Sequence, residues 1–277
     1  MGLRINTNIQ ALAAQRYLSI NSEHQKSSLE HLSSGSRINK AGDDAAGLAI
    51  SEKFKAEIRS MRQASRNAND GVSLIQVAEG GLNEIGSILI RLRELSIQGA
   101  SDTIGDTERS FINKEVQQLK SEIDRITTST EYDGTKLLNG SAPALEIQVG
   151  THNNPFEDRL VFDAQSLTTS TVALGLEQVS TQNKEMSQMN LAALDQAIEH
   201  LNGNRATLGA LQNRMQSTIA NLSTYTENLE AANSRIRDTD MAAESSELVK
   251  NNILNQANVS VLSQANQTPQ LVLKLLG

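Results

Sequence analysis

The stretch LQNRMQSTIANLSTYTENLEAANSRI, residues 211–236, carries apolar or small side chains at alternating steps of four and three. These side chains belong to Leu211, Met215, Thr218, Leu222, Tyr225, Leu229, Ala232 and Ile236. Such a seven-residue repeat places one continuous stripe along a helix and is typical of a coiled coil. The stretch therefore predicts a long helix whose stripe packs against another helix.

The same period extends in both directions along the chain. Steps of three and four link apolar residues in segments 5–32, 58–92, 112–126, 191–208 and 254–265. Only three prolines occur in 277 residues, which favours long uninterrupted helices. Two interruptions are expected. The pair Gly80-Gly81 should bend or loosen the second helix, and Pro269 should end the last one.

Two polar stretches separate these helices and read as joints. They are SSGSRINKAGDDAAGLAIS at residues 33–51 and RIRDTDMAAE at residues 235–244. Asp43 or Asp44 is expected to cap the helix that follows the first joint, because a carboxylate can accept from a free N–H of the first turn. The order of elements is nearly palindromic, which predicts that the chain returns antiparallel to its start.

The region between the helical segments has a different period. Leu145, Ile147 and Val149 alternate with polar residues, and Leu160 and Phe162 do so again after a loop rich in turn formers. Two alternating runs around such a loop predict a β-hairpin. Asp133-Gly134, further upstream, is a turn signal.

These patterns predict a mainly α fold: a terminal helix pair, and long antiparallel helices that form a coiled-coil rod as a helical bundle. One small β-hairpin region is expected around residues 140–165. The predicted terminal domain combines residues 1–42 with residues 238–277. Residues 43–237 form the predicted rod domain.

The chain ends in PQLVLKLLG, residues 269–277, an apolar run that needs a cover. The terminal segments bury too little apolar surface to fold alone, since ordering each residue costs ~1–2 kcal/mol. Two covers are possible: the body of the same chain, or many copies packed side by side. The second possibility predicts a polymerisation core formed by Ile5, Ile9, Leu12, Leu254, Val261, Leu271, Leu275 and Leu276.

Catalytic motifs are missing from the sequence. There is no cysteine, and the four histidines, at positions 24, 31, 152 and 200, lie in no H-E-x-x-H pattern. No G-x-x-x-x-G-K phosphate loop occurs either. We therefore predict that the protein is not an enzyme and has no catalytic residue, metal site or cofactor.

Other partner classes are disfavoured as well. The basic residues are scattered along helical patterns without interleaved aromatics, so nucleic-acid binding is not expected. No apolar run approaches the ~20 residues that span a bilayer, so membrane insertion is not expected. The first residues alternate between polar and apolar, which is unlike a cleavable signal peptide. The loop SLTTST could carry O-glycans on Ser166, Thr168, Thr169 and Ser170, or it could be an ordinary polar loop.

Five long motifs resemble those of bacterial flagellins. They are MGLRINTNIQALAAQRYL, LSSGSRINKAGDDAAGLAIS, LIRLRELSIQGA, EYDGTKLLNG and QANVSVLSQANQTPQLVLKLLG. The resemblance covers nearly the whole chain, and the middle, roughly residues 130–190, lacks the outer domains that larger flagellins insert there. A hook–filament junction protein, which has similar helical ends, is the alternative.

The resemblance implies a secreted, extracellular structural subunit that self-assembles into the flagellar filament for swimming motility. It implies type III export, with a chaperone that covers the C-terminal segment before export. Filament cap and hook-junction proteins would be further partners. The paired termini would line a central channel.

One surface motif resembles the segment by which animal Toll-like receptor 5 recognises flagellin monomers. This is IRLRELSIQ, residues 90–98, and Arg91, Leu95 and Glu115 match receptor-contact positions. Arg91 and Leu95 are four residues apart, which predicts that they share a helix face. Ile90 stands where the family usually has glutamine. Packing between subunits is the other possible role of these residues.

Overall fold

The computed structural model describes the backbone of residues 7–276 and the side chains of residues 7–267. The helices are α1 (Ile9–Ser34), α2 (Ala45–Gly99), α3 (Asp106–Ser129), α4 (Lys184–Arg237) and α5 (Met241–Leu276). The strands are β1 (Glu131–Tyr132), β2 (Thr135–Lys136), β3 (Leu145–Gln148) and β4 (Arg159–Phe162). The mainly α fold class is confirmed.

The chain divides into two compact units. The described residues up to 56 and from 228 onward form the first, called here the terminal unit. Residues 57–227 form the second, called here the central unit. The sequence placed domain boundaries after residues 42 and 237, and that functional division stays a prediction.

The central unit has a continuous apolar core. Helix α2 contributes Leu82, Ile85, Leu89 and Leu92, which are fully buried. Partners from the other elements are Ile112, Val116 and Ile123 of α3, Leu194, Leu201 and Met215 of α4, and Phe162 of β4. Branched aliphatic residues dominate this core, as the low aromatic content of 3% requires.

Helix α2 continues through Gly80 and Gly81 without a break, and the predicted bend or loosening at this pair stays a prediction. Gly81 has a packing reason. A Cβ added there would come within 2.8 Å of Leu138 Cδ1 and of Thr130 Oγ1. The missing side chain lets the segment after α3 approach the helix closely.

The predicted hairpin is present as β3 paired antiparallel with β4, with Leu145 opposite Phe162 and Ile147 opposite Leu160. Its loop is held by Asp158, whose carboxylate accepts from the backbone N–H of Asn154 at 2.9 Å. The predicted turn at Asp133-Gly134 is also present. Both residues have positive φ, and they form the two-residue loop that joins β1 to β2. This second hairpin was not predicted from the sequence.

In the terminal unit the two predicted joints meet. The N–H of Thr239 donates to the carbonyl of Gly35 at 3.0 Å, and Ser36 forms a bridge with Asp238. Asp44 caps α2, because its Oδ1 accepts from the N–H of Gly47 at 2.8 Å. The N-cap prediction is thereby confirmed.

Helices α1 and α5 pack against each other in the terminal unit and run antiparallel. Side chains near opposite ends of the pair show the direction: Asn8 contacts Ala265, and His31 contacts Glu244. The prediction that the chain returns antiparallel to its start is therefore correct for this pair.

The prediction that Pro269 ends the last helix is wrong, since α5 continues to Leu276. Proline has no N–H, so inside a helix it leaves the carbonyl four residues earlier without its usual donor. That carbonyl belongs to Ala265. The side-chain Nδ2 of Asn8 donates to it at 2.8 Å.

Candidate assembly interface

Most of the side chains through which α1 and α5 face each other are small or polar, and three leucines are the exceptions. On α1, burial recurs at steps of three and four, at Ala11, Ala14, Leu18, Asn21, Gln25 and Ser28. On α5 it recurs in the same way, at Leu248, Asn251, Asn255, Asn258, Leu262 and Ala265. Three asparagines therefore occupy the positions where a coiled coil normally carries apolar residues.

Carboxamide groups join the two helices. Gln25 Nε2 donates to Asn252 Oδ1 at 2.6 Å, and Asn255 Nδ2 donates to Gln25 Oε1 at 2.7 Å. We call Gln25, Asn251, Asn252, Asn255 and Asn258 the amide seam. It was missed at the level of sequence, although the asparagines at 251, 255 and 258 show the heptad spacing.

Most of the large apolar side chains of both helices point outward instead. Ile9 is 65% exposed and Val261 is 55% exposed, and Leu12 and Leu254 are exposed as well. We call the following exposed residues the outer faces: Ile9, Leu12, Tyr17 and Leu29 of α1, and Val249, Ile253, Leu254, Val259 and Val261 of α5. Leu254 and Val261 belong to the predicted polymerisation core, and their role in assembly stays a prediction.

The other predicted polymerisation residues lie outside the described residues. These are Ile5 and the side chains of Leu271, Leu275 and Leu276.

Carboxylates stabilise the joint of the terminal unit. The backbone N–H groups of Lys40 and Asn39 donate to Asp43 and lower the pKa of its carboxyl group. Arg237 Nη1 donates to Glu52 Oε1 at 2.5 Å, and this bond lowers the pKa of Glu52. Both acids are stabilised in their charged form.

The receptor-like residues differ in exposure. Arg91 is half exposed, and its guanidinium donates to Glu115 at 2.9 Å and to Glu94 at 3.1 Å. Leu95 is only 1% exposed and lies in the core of the central unit. Leu95 is therefore not a surface residue of the central unit, because it continues the apolar stripe of Leu89 and Leu92, and its role in receptor recognition stays a prediction. Ile90, in contrast, is exposed.

The four candidate glycosylation residues also differ in exposure. Ser166 is exposed, and Thr168 and Ser170 are half buried. Thr169 is fully buried and its N–H donates to the carbonyl of Leu138 at 3.1 Å. Thr169 is therefore excluded as an attachment point, since a glycan there would displace the core.

Among the described residues, no group of three or more His, Asp or Glu side chains could hold a metal ion. Within the same part of the chain, no helix combines the length and apolar character that crossing a bilayer requires.

Comparison with known proteins identifies the family. Residues 5–142 match the bacterial flagellin N-terminal helical region, and residues 191–276 match the bacterial flagellin C-terminal helical region. A flagellin of Halalkalibacterium halodurans is 45% identical, over 98% of this chain and 99% of its own length. The flagellar filament 30.7 kDa core protein of Treponema maltophilum is 42% identical, over 99% of both chains.

Solved structures agree with this likeness. The crystal structure of Bacillus cereus flagellin is 29% identical with a TM-score of 0.51, over 61% of this chain and 94% of the other. A putative flagellar hook-associated protein of Vibrio parahaemolyticus has a TM-score of 0.58 over 71% of this chain and 100% of its own, but at 14% identity the likeness concerns the fold alone. The family is structural rather than enzymatic, and nothing favours the hook–filament junction alternative. The chain belongs to the bacterial flagellins and is a subunit of the flagellar filament.

Proposed function

We propose that the outer faces of α1 and α5 are the surfaces through which copies of this chain pack into the filament. One observation carries the proposal: most large apolar side chains of the terminal helices are exposed, whereas the positions between the helices are largely small or polar. In an ordinary helix pair the reverse holds, because apolar burial supplies most of the stability.

The energetics of exposure support this assignment. Burying one large aliphatic side chain contributes about 1.5–3 kcal/mol. The outer faces hold nine exposed apolar residues along two helices, so a free subunit forgoes most of that stabilisation. A regular array of copies would recover it, because each helix could then contact several neighbours.

Substitutions on the outer faces test the proposal. Leu12→Gln and Ile253→Gln each remove one apolar contact, so each should raise the critical concentration for polymerisation about tenfold, at ~1.4 kcal/mol per tenfold. Sedimentation of seeded samples measures this concentration. Gln15→Ser, at an exposed polar position of α1, is the matched control and should polymerise normally. Unchanged polymerisation of both glutamine variants would contradict the proposal.

Secretion to the cell exterior and the helper proteins are inferred from the family. A free subunit with exposed apolar helices needs a cover before assembly, which supports an export chaperone that binds the C-terminal segment. Cap and hook-junction proteins would meet the same faces at the ends of the filament. Pull-down of the purified chain with the chaperone, with and without residues 241–277, tests the first of these contacts.

Recognition by Toll-like receptor 5 is a second proposed interaction. It is supported by the exposed ion pair of Arg91 and Glu115, which presents a charged, preorganised surface. Leu95 would act from beneath that surface by supporting α2, since its side chain is buried.

A further inference from the structure

We propose that Asn8, together with the amide seam, sets the register in which α1 pairs with α5. The inference rests on the proposed assembly surface, because the register decides where the two outer faces lie relative to each other. In this view the polar contacts between the helices select one arrangement. The apolar outer faces then stabilise that arrangement when copies assemble.

Asn8 has the chemistry of a register residue. Its Oδ1 accepts from the N–H of Ala11 at 3.1 Å and so caps α1. Its Nδ2 donates to the carbonyl of Ala265 at 2.8 Å. A carboxamide can do both at once, because it holds an acceptor and a donor. Serine and aspartate cap a helix equally well, but aspartate has no donor and serine is shorter.

Pro269 makes the position of this contact unique on α5. It is the only proline in the helix, so Ala265 has the one carbonyl of α5 that loses its donor to a proline. An unpaired buried carbonyl is costly. Asn8 reaches this carbonyl in the observed register only, since a shifted pairing would place Asn8 beside a carbonyl that already has a partner.

Gln25 marks the register a second time, far from Asn8. It exchanges hydrogen bonds with Asn252 and Asn255. Sliding α5 by one heptad would bring Val259 and Leu262, or Ser245 and Leu248, to those places. A purely apolar interface tolerates such slips, whereas one buried carboxamide in a coiled coil penalises them.

The amide seam defines the register of the helix pair but contributes little to its stability. Among the described residues, the Nδ2 atoms of Asn251 and Asn258 are buried and have no hydrogen-bond partner. Ala14 and Ser28, the most buried residues of α1, add little apolar area. The helix pair therefore has a defined register but needs the covering of its outer faces for stability.

A double-mutant cycle tests the contact between Asn8 and Ala265. Asn8→Ser keeps the cap, but its shorter side chain no longer brings a donor to the carbonyl of Ala265, so the critical concentration for polymerisation should rise about fivefold, which corresponds to about 1 kcal/mol. Pro269→Ala restores an N–H to the helix and gives the carbonyl of Ala265 its own partner. In that background Asn8→Ser should change the critical concentration less than about twofold. An equal effect of Asn8→Ser in both backgrounds would overturn the role of Asn8.

Distance measurement tests the register itself. The chain has no cysteine, so Ser22→Cys and Gln256→Cys, both exposed, accept spin labels cleanly. In seeded filaments diluted with unlabelled subunits, pulsed electron resonance should give one distance for the parent. Gln25→Leu with Asn255→Leu should add populations displaced along the helix by about 10 Å, the length of one heptad.

The control for this measurement is Gln15→Leu with Asn266→Leu, two exposed polar positions outside the seam, which should keep a single distance. A single distance in the seam variant as well would overturn the proposal and assign the register to the joint. If the seam variant does not assemble alone, the same distance is measured in copolymers with an excess of unlabelled parent subunits. This experiment can fail independently of the test of the outer faces. The outer-face substitutions should change polymerisation without changing this distance.

Discussion

Arg91 and Leu95 lie one helical turn apart on α2, yet one is exposed and the other is buried. Arg91 holds two carboxylates on the surface, and Leu95 fills the core beneath. A spacing of four residues shifts the direction of the side chain by ~40°, since a helix has 3.6 residues per turn. That shift is enough to cross the boundary of an apolar stripe, which is why one side chain is exposed and the other is buried.

The two residues should therefore respond differently to substitution by alanine. Arg91→Ala should weaken activation of Toll-like receptor 5 by monomer roughly thirtyfold, as expected for an interface anchor worth ~2 kcal/mol. Its stability should hardly change, because exposed ion pairs contribute ~0–1 kcal/mol. A receptor reporter assay and thermal unfolding measure the two effects.

Arg93→Ala is the matched control for this prediction, because Arg93 also forms an exposed ion pair, with Asp195 at 2.7 Å. It should leave receptor activation unchanged. Equal loss of activation in both arginine variants would refute a specific role for Arg91. If the parent protein activates the receptor neither as monomer nor as filament, subunit packing would be the only role left for residues 90–98.

Leu95→Ala should instead lower the free energy of unfolding by ~2–5 kcal/mol, since it creates a cavity in a packed core. Denaturant unfolding of the variant measures this loss. A change below ~1 kcal/mol would mean that Leu95 is not buried in solution as it is in the structure.

At the scale of elements, the joint of the terminal unit depends on charged carboxylates. Glu52 and Asp43 both have a folded-state pKa below the ordinary value, so each favours folding when it is ionised. Their contribution is complete above the unfolded-state pKa and is lost as the pH falls through the lowered folded-state pKa. Acid should therefore weaken the joint.

Glu52→Gln isolates this effect. At pH 7 the variant should melt at a lower temperature than the parent, and the difference should shrink below pH 4.5, the ordinary value for glutamate. Arg237→Gln removes the other partner and should show the same pH dependence. A difference in melting temperature that is constant from pH 7 to pH 3 would argue against the ion pair as its source.

The elements also show how far the sequence predicts the structure. Helices, joints and the β3–β4 hairpin follow from local periods and turn residues, so they were predictable. The path of α5 through Pro269 was not, because the donor for Ala265 comes from Asn8, which is 257 positions away. The amide seam was missed for a related reason. An asparagine in a helix normally indicates a position exposed to solvent. Here the asparagines become interface residues only because the two terminal helices pair.

At the scale of the whole molecule, the central unit has an apolar core of its own, whereas the terminal helix pair joins its members through carboxamides. The central unit should therefore be stable in the free subunit, and the terminal unit should gain most of its stability on assembly. Limited proteolysis of monomer should trim both ends and spare residues 57–227. Ends as resistant as the central unit would contradict this division.

Deletion of residues 269–277 extends the same reasoning to the filament. The deletion removes an apolar run whose burial among copies would contribute about 1.5–3 kcal/mol per large side chain. It should abolish seeded polymerisation in a sedimentation assay. It should leave the thermal transition of the central unit unchanged, because no residue of that unit is removed. A truncated chain that still forms filaments at the parent's critical concentration would show that α1 and the rest of α5 suffice for packing between subunits.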